Sequence, residues 1–302
     1  MKKLLLLFMV AFVSMALFAC GEKEFAVDGE FLAYEVSVHR NAPQVTFVTV
    51  TIEDGEIVGY TIDALQGRRT GGEDIIEDEV VTGKTPYVWS WNAQTKKELG
   101  DNYNMLPASE IGKEWYEQAA AIEAFWLENG IEAMTTNEEG YIDNVTGASV
   151  SDAYSAIALQ AVENAKAGKF VSIYASGTDL YSAEMVVTPK GAIESLVIDT
   201  LQSTRSQEDG TFVWRELSKQ DLGYGYRMHG QRDLTETDYI QWLEDNDKLE
   251  WFEQVALITD DIIENGWRTN AADNVPAGVS ITTSGYYTLL ARLFAFADEA
   301  VK

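Results

Sequence analysis

The chain has 302 residues, 46% hydrophobic and 11% aromatic, a composition that excludes a disordered protein and is long enough for two domains with a core each. Its net charge of −27 excludes nucleic acid and anionic lipid headgroups as electrostatic partners; the surplus carboxylates serve solubility before any recruitment of cations. One cysteine and two histidines, Cys20, His39 and His229, exclude an internal disulfide, a cysteine-held iron–sulfur cluster, c-type haem and a multi-histidine metal centre, so redox chemistry here requires an organic cofactor.

Residues 1–19 read as a secretory leader, with Lys2 and Lys3 ahead of an apolar run at 4–18 that is too short to span a bilayer. Its end, Leu17-Phe18-Ala19-Cys20, resembles the lipobox of bacterial lipoproteins, in which the cysteine is lipidated and becomes the new N-terminus. On that resemblance Cys20 is the lipidation site and 20–28 a polar tether. Strand patterns follow at 31–38, 45–52 and 57–65, with Asp54-Gly55 as a hairpin turn. Residues 71–79 read as an acidic loop, solvated rather than metal-binding. A helix is predicted over 111–129, burying Trp115, Ala119, Ile122 and Trp126 and ending at Gly130. The run Asp143-Asn144-Val145-Thr146-Gly147-Ala148-Ser149-Val150-Ser151 comes next, reading as a turn and a helix cap, a natural seat for phosphate. A nearly apolar helical pattern occupies 152–166, predicted to be buried on most sides.

Beyond a junction at 167–169 the chain repeats itself. Ile62-Asp63-Ala64-Leu65-Gln66 returns as Ile198-Asp199-Thr200-Leu201-Gln202, and Glu114-Trp115-Tyr116-Glu117-Gln118 as Glu250-Trp251-Phe252-Glu253-Gln254. Trp251, Val255, Ile258 and Ile262 repeat the buried helix face, and Gly266 repeats Gly130. Tyr87-Val88-Trp89 matches Phe212-Val213-Trp214. The nine-residue run returns as Asp273-Asn274-Val275-Pro276-Ala277-Gly278-Val279-Ser280-Ile281-Thr282, ahead of a helical pattern at 286–300. The fold expected is therefore α+β, with two tandem homologous domains at 29–167 and 168–302, each a mostly antiparallel sheet with packed helices.

The repeated run resembles the flavinylation motif of the FMN-binding domain family, which includes subunits of sodium-pumping quinone reductases and of Rnf complexes. With the leader, the tandem is similar to pheromone-type lipoproteins that carry electrons outside the membrane of Gram-positive bacteria. The resemblance implies covalent FMN on each domain, esterified through its phosphate to Ser151 and to Thr282 by a magnesium-dependent flavin transferase that consumes FAD. Asp143, Gly147, Ala148 and Ser149 would complete the first motif, and Asp273, Gly278, Val279 and Ser280 the second. Val279 stands where the family has alanine, Pro276-Ala277 lengthens the second run, and Thr283 is a neighbouring alternative acceptor. The function implied is a flavoprotein electron carrier, extracytoplasmic and lipid-anchored, rather than a stand-alone enzyme. It would take electrons from a membrane quinone or NADH dehydrogenase system. The competing readings are a solute-binding lipoprotein without covalent flavin and an extracytoplasmic flavin reductase. Tyr103, Met105, Tyr226 and Met228 recur and are candidates to touch the ring, with core packing the favoured explanation; Trp115 and Trp251 read as core, and Arg69 and Arg205 as surface.

Overall fold

The computed structural model describes residues 24–268, 275–297 and 300–301. The leader, Cys20 and Asp273 lie outside these residues. Among the described residues no helix is long and apolar enough to cross a membrane.

The first half opens with an antiparallel meander of β1 (Gly29–His39), β2 (Ala42–Glu53) and β3 (Glu56–Thr70). Asp54 and Gly55 form the expected two-residue turn, at φ 55° and 79°, and the Asp28 carboxylate accepts from both of their amides at 3.0 and 2.9 Å. Residues 71–79 are not the loop their charge predicts. They supply β4 (Asp74–Glu77) of a hairpin with β5 (Val80–Lys84), because Ile75, Ile76, Val80 and Val81 give both arms strand-forming side chains. β6 (Val88–Trp91) returns to β3 and completes a sheet of order β1-β2-β3-β6. Helices α1 (Lys96–Leu99), α2 (Trp115–Asn129) and α3 (Ser155–Lys166) follow.

The second half has an antiparallel sheet of β7 (Lys169–Ser176), β8 (Asp179–Val187) and β9 (Ile193–Leu201), and a ribbon of β10 (Ser203–Arg205) and β11 (Phe212–Trp214). α4 (Lys219–Leu222), α5 (Glu236–Asp245), α6 (Trp251–Asn265) and α7 (Ser284–Phe296) complete a mixed α/β fold.

α2 starts at Trp115, later than its apolar pattern suggests, because Glu114 sits in extended backbone and caps it. The Glu114 amide donates to Glu117 at 2.8 Å, and Glu250 and Glu253 start α6 in the same way at 2.7 Å. Both helices bury the faces their sequences predict, and they pack on β3 and β9 respectively. α3 packs on β1 and β2, and α7 on β7 and β8. α3 buries one face rather than most of its surface: Ile157, Ala158, Ala161, Asn164 and Ala165 turn inward and Leu159 is exposed. Its alanines are small enough to bring the helix close to the sheet.

The halves do not keep separate cores. Phe31 of β1 stacks on Phe170 of β7 with centroids 4.3 Å apart, and the buried apolar residues of both halves form one cluster. Gly29 leaves no room for a side chain here, since a Cβ would lie 2.6 Å from the Phe170 ring and 2.7 Å from the Phe296 carbonyl. The junction at 167–169 is a tight turn rather than a linker, with Gly168 accepting from the Val187 amide at 2.9 Å. A second seam joins the matching triads: Trp89 and Phe212 pack together with Ala42, and the Trp214 indole donates to the Ser37 carbonyl at 2.8 Å. Arg69 is part of this seam, donating to the Gly210 carbonyl at 2.8 Å and lying over Tyr87, whereas Arg205 is exposed.

A shared core predicts a single cooperative thermal transition by calorimetry, and two resolved transitions would contradict it. Phe170→Ala should lower stability by about 3–5 kcal/mol without splitting that transition.

Candidate cofactor-attachment site

The two copies of the motif adopt closely similar turns. Ala148 donates to the Val145 carbonyl at 3.1 Å across Thr146-Gly147, and Val279 to the Pro276 carbonyl at 3.4 Å across Ala277-Gly278. Gly147 and Gly278 stand at φ 92° and 95°, where a side chain would be strained. Each faces the helix before it at matching positions, Gly147 against Lys113 and Ala121, Gly278 against Leu249 and Leu257. The longer second run therefore reaches the same turn. Asp143 accepts from the Thr135 hydroxyl at 2.6 Å and Asn144 from the Thr135 amide at 2.9 Å, which ties the loop entrance to the segment after α2.

A buried glutamine holds each loop. The Gln118 side-chain carbonyl accepts from the Ser149 amide at 2.9 Å, and its amide donates to the Lys113 carbonyl at 3.2 Å. Gln254 accepts from the Ser280 amide at 2.7 Å, the Ile281 amide at 3.2 Å and the Ser280 hydroxyl at 3.2 Å, and donates to the Leu249 carbonyl at 3.0 Å. Both glutamines are buried, so these bonds replace water. The sequence places both residues in the repeated pentad without revealing their role. A polar residue recurring on an otherwise apolar helix face was the available signal.

Beneath each loop lies a matched aromatic cluster. The Trp115 indole donates to the Tyr154 hydroxyl at 3.0 Å and the Trp251 indole to the Tyr286 hydroxyl at 2.9 Å. Tyr103 and Tyr226, both half-buried, meet these tryptophans edge-on. Met105 and Met228 are fixed through their backbone amides by the buried carboxylates of Glu114 and Glu250, at 2.8 and 3.2 Å. The Lys96 ammonium lies 5.1 Å from the Tyr103 and Trp115 centroids, and Lys219 repeats this over Tyr226 and Trp251 at 4.8 and 5.1 Å. Burial pushes Lys96 down to about 8, against a smaller opposing pull from Asp63.

The candidate acceptors differ in their surroundings. Ser151 is exposed, bridged to Tyr141, and no hydrogen bond among the described residues engages its hydroxyl. It does not sit at a helix start, because α3 begins at Ser155. Asp152 instead accepts from the Tyr154 and Ser155 amides, each at 3.0 Å, and so fills the anion seat expected there. Thr282 is also exposed, but α7 begins two residues later at Ser284, and Thr283 at its cap makes no side-chain capping bond. Thr282 lines a cavity of about 230 Å³ with Tyr174, Tyr181 and Gly285. Of the second motif, Gly278, Val279 and Ser280 lie in the clamped turn.

α3 and α7 both end beside the N-terminal segment. The Lys166 ammonium is 3.4 Å from Glu24, and Gly29 abuts the Phe296 carbonyl. At 1.5 Å per residue, the starts of these helices lie about 18–20 Å from that end. Among the described residues no group of three or more His, Cys, Asp or Glu could hold a metal ion. No protein-family model, curated protein or solved structure matches the chain.

Gln118→Leu should cost about 1–3 kcal/mol by leaving the Ser149 amide unpaired, and hydrogen exchange at Ser149 should accelerate beyond what that global loss explains. A stability change confined to global exchange would refute the clamp. The lowered Lys96 pKa gives a second expectation. Between about 8 and 10.5 the unfolded chain binds the proton that the folded chain has released, so this group makes stability rise with pH across that window. In Lys96→Met that contribution should vanish, checked by urea unfolding at pH 7.5 and pH 10 (values set about the roughly one-unit-wide titration of a shifted lysine).

Proposed function

We propose that the chain is a membrane-anchored flavoprotein electron carrier made of two tandem homologous FMN-bearing domains, with FMN held by phosphoester on Ser151 and on Thr282. The observation that carries this reading is the repeated clamp: a buried glutamine in each half fixes a glycine turn that presents an exposed hydroxyl residue a few positions on. Simple helix capping does not require that arrangement, since Asp152 caps α3 from outside the clamped turn.

Attachment joins the hydroxyl oxygen to the FMN phosphorus of FAD, breaks the pyrophosphate bond, and releases AMP and the hydroxyl proton. A magnesium-dependent flavin transferase acts on the exposed loop. Bound flavin supplies transfer of one or two electrons at a time. The chain supplies position: the clamped turns set where each acceptor stands, and the net negative surface leaves attachment to the membrane to a lipid on Cys20. With that lipid in place, both acceptors stand away from the tethered end, toward extracytoplasmic electron acceptors. The donor is a membrane quinol or NADH dehydrogenase system. A cavity of about 600 Å³ near the tether, lined by Val27, Asp28, Glu53, Thr188 and Ala297, favours a second reading as a solute-binding lipoprotein.

Intact mass of the full chain, made with and without a flavin transferase, separates the two. The carrier reading expects a gain of two FMN less two waters that survives denaturation, and Ser151→Ala should lose one flavin and keep the other. An unchanged mass beside a transferase shown to be competent sinks it.

A further inference from the structure

The two attachment sites are not copies of each other. In the second half, Tyr174 of β7 and Tyr181 of β8 face each other across the strand pair with ring centroids 6.0 Å apart, and Tyr181 meets Tyr286 edge-on at 5.3 Å. Both tyrosines line the cavity of about 230 Å³ that also receives Thr282, Ser284, Gly285 and Thr288. Gly285 keeps this space open: a Cβ there would come into contact with Tyr174 at 3.6 Å and Tyr181 at 4.0 Å. The Arg292 guanidinium, one turn beyond Thr288, lies 5.3 Å from the Tyr174 centroid and adds positive charge at the rim. The cavity thus combines an aromatic wall, an exposed hydroxyl and a helix start without a side-chain cap.

Strand register identifies what the first half has instead. Tyr181 pairs with Thr200 as Thr46 pairs with Ala64, and Thr200 and Ala64 occupy the same place in the repeated pentad. Tyr174 pairs with Tyr181 as Glu35 pairs with Thr46. The tyrosine pair therefore corresponds to Glu35 and Thr46, which offer no ring to stack on. Asp152 also places a carboxylate at the start of α3. The cavity near the tether is no rival seat for this group, because it is lined by the opposite end of α7 at Ala295, Phe296 and Ala297.

Building on the carrier reading, we propose that the cavity beside Thr282 seats the planar isoalloxazine of the second flavin against Tyr174 and Tyr181, while the flavin on Ser151 stays open to solvent. The two flavins are then inequivalent in environment. A phenol stacked on a flavin quenches its emission by donating an electron to the excited ring and taking it back in the dark, with no net redox change. The wall also excludes water and small quenchers from one face of the ring.

The test uses the full chain flavinylated by a transferase, with peptide mass mapping of each acceptor. Ser151→Ala isolates the second flavin and Thr282→Val the first. Emission per flavin should be several-fold lower in Ser151→Ala than in Thr282→Val, and iodide should quench the second flavin less. The difference should vanish in urea. Adding Tyr174→Leu to Ser151→Ala should raise emission, and Tyr181→Leu provides a second variant should the first fold poorly. Equal emission and equal iodide access in the folded proteins, with flavin mapped to Thr282, would overturn the ring seat while leaving the carrier reading intact. A second flavin mapped to Thr283 and still quenched would keep the seat and move the acceptor. No flavin mapped to either threonine would overturn both.

Discussion

A primary amide taken out of water must find partners for its carbonyl and its N–H groups; Gln118 and Gln254 accept from backbone amides of the motif loops and donate to the Lys113 and Leu249 carbonyls just ahead of their own helices. The bond works in both directions. The loop satisfies a polar group that the apolar face of α2 or α6 could not tolerate alone, and the helix fixes a loop with little regular structure of its own. Burial of Trp115, Ile122 and Trp126 in the first half, and of Trp251, Ile258 and Ile262 in the second, sets where each glutamine stands. The position of each candidate acceptor is thus a consequence of core packing.

The same core decides how the halves relate. Phe31 against Phe170, and Trp89 against Phe212, join what the repeat predicts as two units. An isolated half would expose these rings to water, at about 1.5–3 kcal/mol for each large apolar side chain uncovered. The seam also fixes direction, because α3 and α7 both run back toward the N-terminal segment. Two loops carried on a jointly packed core are held at a fixed separation, which a flexible linker could not provide.

Much of this was legible in the sequence. The hairpin at Asp54-Gly55, the buried faces of α2 and α6, and the doubling of the motif follow from periodicity and from a repeat of 136 residues that several segments keep. What stayed hidden was relational. Gln118 looks like one more polar residue on a helix until the loop that it binds is brought beside it. Trp89 and Phe212 belong to matching triads, but nothing in a repeat says that the two copies touch. Arg69 reads as surface because its acceptor, the Gly210 carbonyl, lies 141 residues away. Residues 71–79 read as a loop because five carboxylates outweighed two isoleucines in composition, although β pairing depends on side-chain shape as well as charge.

The difference between the copies has an energetic side. Asp152 gives α3 a carboxylate at its positive end, a contribution of roughly 0.3–1 kcal/mol at an exposed helix start. α7 forgoes a side-chain cap worth typically about 1 kcal/mol, and it accepts Gly285 in its first turn, where alanine would favour the helix. Stability alone gives no reason for one copy to omit both. On the carrier reading the two departures have one cause: a phosphate esterified to Thr282 brings its own negative charge to the helix start, and the missing side chain at Gly285 keeps the tyrosine wall uncovered. On the same reading the first copy can keep the Asp152 carboxylate at its helix start, since a flavin without a wall would gain nothing from an open helix end. Duplication would then have produced a pair of sites tuned apart by a few residues around a shared clamp.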